Sequence, residues 1–228
     1  MTTRSTPQLA GVLWDMDGTL LDSEKLWDVA VYELAEYLGG TMTREVRVSL
    51  IGSSGPNALQ TMFTALNLDP APAAIADAGS WLEARITALF MEGIPWRPGA
   101  QDALEMVAQS GLPMALVTNT KRALTEYSLD TVGRHYFSAT VCGDEVPHGK
   151  PHPGVYLRAA ELLGLEPMNC LAIEDSPTGT IAAETAGCGV MVVPCEIPVP
   201  AGPGRVFRDT LIGLKVADLH IALRGNGS

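Results

Sequence analysis

The sequence predicts an α/β protein, a parallel sheet covered on both faces, with an all-helical insert after the first strand. Two observations carry this. Short, almost continuously apolar runs alternate with amphipathic stretches, the pattern of strands buried on both faces by crossover helices. The segment between the first two of these runs is far too long for one crossover and carries helical periodicity throughout.

The strands fall at 11–15 (GVLWD), 114–118 (MALVT), 138–142 (SATVC), 170–174 (CLAIE) and 189–193 (GVMVV). Helical stretches lie between them at about 100–110, 121–132, 153–163 and 177–186. Within the long first connection, apolar stripes run through 26, 27, 30, 31, 34, 37 and 38, through 58, 59, 62, 63 and 66, and through 81, 82, 86, 89 and 90. Residues 22–92 therefore read as a helical cap domain. Residues 1–21 and 93–228 form the core, re-entered at Gly93-Ile-Pro-Trp-Arg-Pro-Gly99. The Pro/Gly-rich run Pro194–Arg205 reads as a loop before a short terminal element. A chain of 228 residues with 46% hydrophobic and 18% charged residues can bury a large core.

A net charge of −11 argues against nucleic-acid and anionic-membrane partners, and an anionic ligand must be held by local cations. Cys142, Cys170, Cys188 and Cys195 form no C-x-x-C pair and have no histidine close by, so a zinc cluster is not expected. The N-terminus lacks an apolar leader, and a monomer in the reducing cytoplasm is the expectation.

In open parallel sheets, ligands bind beyond the carboxyl ends of the strands. Those ends hold the chemistry here. Strand 1 ends in Asp15 and Asp17, two acids that cannot sit together without a cation or a shared proton. Strand 2 ends in Thr118-Asn119-Thr120, both a helix cap and a phosphate cradle. The loop after strand 3 fixes Lys150 between Gly149 and Pro151, a point charge for an anion. Its G-x5-G-K-P spacing is one residue too long for a phosphate-binding P-loop. Strand 4 ends in Glu174-Asp175-Ser176-Pro177, which starts a helix and adds a second acidic pair. Carboxylates from two strands without His or Cys suit Mg²⁺.

In this order, "WDMDGTLLDSE", "LVTNT", "GKPHPGVY" and "AIEDSPTG" resemble the four motifs of the haloacid dehalogenase-like phosphohydrolases, in the group with a helical cap after the first strand. The resemblance spans about residues 11–193. It implies a Rossmann-like doubly wound core, a mobile cap and Mg²⁺-dependent phosphoryl transfer through an aspartyl phosphate. Asp15 would be the nucleophile and Asp17 the general acid/base. Thr118, Asn119 and Lys150 would hold the phosphoryl group, and Asp15, Asp17 through its carbonyl, Glu174 and Asp175 would hold the metal. Dehalogenating members lack an aspartate two residues after the nucleophile, so Asp17 favours a phosphate ester. The resemblance thus implies a phosphatase for a small phosphorylated metabolite, a sugar or polyol phosphate.

A β-phosphoglucomutase-like mutase is the alternative. It is disfavoured because Trp27 stands where those relatives carry histidine, and Gly55 where they carry an arginine. In the cap, Gly52, Ser53, Ser54 and Asn57 either recognise substrate hydroxyls or simply form the turn between helices. A receiver-type phospho-acceptor would be shorter and would lack the insert; a non-catalytic binder would not need every catalytic position filled.

Overall fold

The computed structural model describes residues 7–51 and 55–225. Six parallel strands form one sheet in the order β3-β2-β1-β4-β5-β6. They are β1 (Gly11–Trp14), β2 (Met114–Val117), β3 (Ala139–Val141), β4 (Cys170–Glu174), β5 (Gly189–Val192) and β6 (Arg205–Phe207). The order runs outward in both directions from β1, so chain direction across the sheet switches between β1 and β4. That is where a doubly wound sheet opens a crevice.

The two sheet faces follow the period of two. Val12, Trp14, Leu116, Leu171 and Ile173 enter one apolar cluster, with α5 (Ala100–Gln109), α6 (Arg122–Val132) and α9 (Val216–Arg224). Leu13, Val117, Ala172 and Val190 point to the other, against α7 (Gly154–Leu163) and α8 (Pro177–Ala186). Strands buried on both sides have no polar face, which is why their sequences read as unbroken apolar runs. Even the Trp14 indole N–H finds a partner, Sδ of Met114 at 3.1 Å on the neighbouring strand.

Four helices lie between β1 and α5: α1 (Glu24–Tyr37), α2 (Arg44–Leu50), α3 (Gly55–Ala65) and α4 (Pro72–Glu92). Their apolar faces (Ala30 and Leu34, Leu59 and Phe63, Leu82 and Ile86) join the first cluster. Two crossings connect them to the sheet, pinned together where the Arg97 N–H donates to the Leu20 carbonyl and the Asp22 N–H to that of Pro95.

Three elements differ from the sequence reading. Helix α2 was not anticipated, because Val46, Val48 and Leu50 alternate with Glu45, Arg47 and Ser49 at period two. Its start is fixed instead by Thr43, whose hydroxyl accepts from Val46 N at 3.3 Å. The stripe at 81–90 belongs to a longer helix that begins at Pro72, a residue suited to a first helical turn. The Pro/Gly-rich run is followed by a sixth strand, too short and too exposed at the sheet edge to show a pattern. Among the described residues, no helix is long and apolar enough to cross a membrane.

Candidate active site

Strand register brings the acidic pairs together. Trp14 lies opposite Ile173, and Asp15 N donates to the Ile173 carbonyl at 3.0 Å, so Asp15 emerges beside Glu174. Beyond Asp15 the chain turns sharply, with Leu20 N and Leu21 N both donating to the Met16 carbonyl. Gly18 takes a φ of +85° in this turn, and a Cβ there would stand 2.1 Å from Asp175 Oδ2. Only glycine fits. The second such position is Gly179, where a Cβ would fall 2.0 Å from the Glu174 carboxylate. It lies in the first turn of α8, capped as expected by Ser176, which accepts from Gly179 N at 3.2 Å.

Lys150 reaches across from the loop after β3. Its Nζ donates to Asp15 Oδ1 at 2.5 Å, Glu174 Oε1 at 2.6 Å and the Val117 carbonyl at 3.0 Å, and it stands 5.2 Å from the centre of the Tyr156 ring. Asn119 holds the lysine backbone, accepting from Lys150 N at 2.7 Å and donating to its carbonyl at 3.1 Å. The Tyr156 hydroxyl also donates to Glu174 Oε1, at 2.5 Å. Asp17 faces elsewhere. Its carboxylate accepts from Ser23 at 2.6 Å, Thr120 at 2.8 Å and Thr118 at 3.1 Å.

Carboxylate oxygens of Asp15, Glu174 and Asp175 lie within 4.8 Å of one another, all buried. One lysine cannot balance three carboxylates. Burial and then Glu174 push Asp15 up to about 7 despite Lys150, and burial with Asp15 and Glu174 raises Asp175 well above the carboxylate range. For Lys150, burial works against the charge but the two carboxylates outweigh it and hold it above the ordinary lysine range. Asp15 Oδ2 is buried and has no hydrogen-bond partner. A buried anionic oxygen left bare is costly unless something else completes its surroundings.

A cavity of about 380 Å³ joins this cluster to the helices above. Asp15, Asp17, Thr118, Asn119, Lys150 and Asp175 all line it. On the far side, Arg47, buried with Glu24, donates to Glu24 Oε2 at 2.8 Å and to Oδ1 of the half-exposed Asp28 at 2.5 Å, tying α2 to α1. Burial raises the Glu24 carboxyl above its usual range, with Arg47 opposing. At the rim, Lys121 pairs with Glu83 of α4 at 2.8 Å, both half-exposed.

The model of the haloacid dehalogenase-like hydrolases matches residues 12–193, which include every one of these strand ends. The chain belongs to that family. It is a hydrolase of the phosphatase type. Hexitol phosphatase B of Escherichia coli is 32% identical over 212 residues, covering 83% of this chain and 86% of that one. A phosphorylated carbohydrates phosphatase of Thermotoga maritima is 31% identical over 180 residues, covering 78% and 82%. Among solved structures, CbbY from Rhodobacter sphaeroides, as a mutant in complex with xylulose-(1,5)bisphosphate, is 30% identical, with a TM-score of 0.83 over 93% of this chain and 99% of that one.

Within this hydrolase, Asp15, Asp17, Thr118, Asn119, Lys150, Glu174 and Asp175 converge on one site. The Asp17 carboxylate lies outside the acidic trio. Asn57 is exposed on the first turn of α3 and is not among the cavity's lining residues. Gly52, Ser53 and Ser54 lie outside the described residues. Sequence reasoning missed Ser23 and Tyr156, although "DSE" and "GVY" stood inside the quoted motifs; Thr120, read as part of the phosphate cradle, turns its hydroxyl to Asp17. It also missed Arg47. Gly55 does line the cavity where a cation was absent, but Arg47 enters from α2, already matched by two carboxylates. No local pattern announces a pair 23 residues apart.

Proposed function

We propose that this hydrolase cleaves the phosphate ester of a small sugar or polyol, with Mg²⁺ held at the acidic trio and Asp15 as the nucleophile. The observation that carries the reading is the bare, buried Asp15 Oδ2 beside Lys150, in a cluster of three buried carboxyl groups served by one lysine. All its donors are oxygens, the set that a hard divalent cation prefers. Asp15, Asp175 and Glu174 would hold the ion, with the Asp17 carbonyl. Bound there, Mg²⁺ neutralises the carboxylates and draws charge from the phosphoryl oxygens.

The residues divide the remaining work. Asp15 Oδ2 attacks phosphorus while the ester P–O bond breaks, and Asp17 in its acid form gives the leaving alkoxide a proton. Water then attacks the aspartyl phosphate, loses its proton to Asp17, and releases phosphate and free Asp15. Thr118 and the helix start after it receive the phosphoryl oxygens. Lys150, fixed by Asn119 and Glu174, keeps its charge through both steps. Helices α1–α4, residues 22–92, act as the cap that excludes bulk water. Trp27 and Gly55 both line the cavity, which supports hydrolysis over isomerisation of a glucose phosphate. The named relatives, phosphatases for hexitol phosphates and phosphorylated carbohydrates, support the substrate class. The cytoplasmic setting is part of the same proposal.

Phosphate release from hexose, pentose and polyol phosphates, with Mg²⁺ and after chelation, tests the reading. Release that stops on chelation and in Asp15→Asn is expected. Release that survives either change overturns it.

A further inference from the structure

The cavity is divided by chemistry. Its floor is the polar site at the strand ends, but among the described residues its other walls are largely apolar: Trp27 and Val31 from α1, Leu50 from α2, Leu59 from α3, and Ile75 and Leu82 from α4. Among the described residues, the polar side chains on those walls are already engaged. Arg47 is matched by Glu24 and Asp28, Lys121 by Glu83, and the Ser80 hydroxyl donates to its own helix at the Ala76 carbonyl. A ligand hydroxylated along its whole length would exchange water for carbon against these helices, and each hydroxyl left unpaired there weakens binding.

The volume agrees. About 380 Å³ lies in the ordinary range for small-molecule sites, with room beyond the phosphate and the first few atoms of its alcohol. The paired Glu24 and Arg47 also line the cavity.

We infer that the alcohol this enzyme releases is amphipathic: a short hydroxylated stem next to the phosphate, carrying an apolar or aromatic body that packs against α1–α4. This rests on the phosphatase reading and departs from it in the substrate, which keeps a hydroxylated stem but is not a sugar or polyol hydroxylated along its whole length. The body fills the apolar end of the cavity, and binding energy realised there holds the ester in place for attack by Asp15.

The test uses phosphate esters of primary alcohols, with the phenylbutyl and butyl esters matched at the reacting carbon. Rates (kcat/KM) with Mg²⁺ are compared for 4-phenylbutyl phosphate, 1-butyl phosphate and glucitol 6-phosphate. Binding of 4-phenylbutylphosphonate and butylphosphonate is measured in parallel by calorimetry. Burying a phenyl ring is worth roughly one to two factors of ten, so the phenyl probe should lead butyl by at least about ten-fold in both assays. Ile75→Asn, at a half-buried wall position, should shrink the phenyl-to-butyl ratio several-fold, and a ratio is unaffected by loss of folded enzyme. Equal binding of the two phosphonates, glucitol 6-phosphate as good as the phenyl ester, or an unchanged ratio in Ile75→Asn overturns the inference. Preferential binding of the phenyl phosphonate with no ester hydrolysed overturns the phosphatase reading and leaves the apolar site standing.

Discussion

Asp15 and Asp17 stand two residues apart in different surroundings, and the proposed chemistry gives them different roles. Asp15 is buried, shares Lys150 with Glu174 and has one bare oxygen; Asp17 is cradled by three hydroxyls. Asp17→Asn keeps the shape of the side chain but cannot carry a proton. A fall in kcat of about 10²–10⁴-fold is expected, measured as steady-state phosphate release. Tyr156→Phe removes one of the donors on Glu174 in a fully buried setting. It should cost about 1–3 kcal/mol of stability in urea unfolding, because the carboxylate loses a charge-assisted partner. An unchanged unfolding midpoint would show that the hydroxyl carries no weight. The acids and the threonine were legible in the sequence because they follow closely on apolar strands, and the lysine because Gly149 and Pro151 flank it in the loop after β3. Tyr156 was not, since a tyrosine on a helix reads as core until its partner is known.

At the scale of elements, two ion pairs make opposite predictions. Arg47, buried between α1 and α2, balances Glu24 and Asp28; replacing it with methionine leaves both acids uncompensated. A loss of about 3–5 kcal/mol is expected. Lys121 and Glu83, half-exposed, link α4 to the start of α6, and Lys121→Ala should cost no more than about 1 kcal/mol, less in high salt. Denaturant titrations of the two variants side by side check the contrast; equal losses would contradict the burial argument. The strands of the sheet and the helices that flank them were readable because burial on one or both faces writes a period into the sequence. Helix α2 was not, since its short run alternates like a strand and is held by a cap and a long-range ion pair. Strand β6 has three residues at an exposed edge and no pattern to read.

The molecule as a whole couples its stability to the acidic cluster. In the metal-free protein, the Asp15 carboxyl is pushed from its ordinary value of 3.8 to about 7, so the folded state holds a proton that the unfolded chain releases. Stability from this group is therefore greatest below about pH 4 and is lost as pH rises through 7. Asp175 shifts in the same direction. A cation that takes the proton's place restores what is lost, so Mg²⁺ should raise the melting temperature more at pH 8 than at pH 5.5. A shift of equal size at both values would detach the metal from these carboxylates. The sheet order, the strand ends and the helices above the crevice form one arrangement: β1 and β4 bring two acidic pairs to the switch point, and α1–α4 roof it. That much follows from where apolar runs stop. The pairing of Arg47 and the apolar walls depends on packing between distant helices, which no local pattern encodes.

The proposed chemistry depends on a covalent phosphoryl group on Asp15. The direct measurement is an acid quench during turnover of a hydrolysed ester with Mg²⁺, followed by borohydride reduction and peptide mapping. An acyl phosphate on Asp15 would be reduced to homoserine at that position, in the wild type and not in Asp15→Asn. Turnover without homoserine there, or with the label on another carboxylate, would contradict the account.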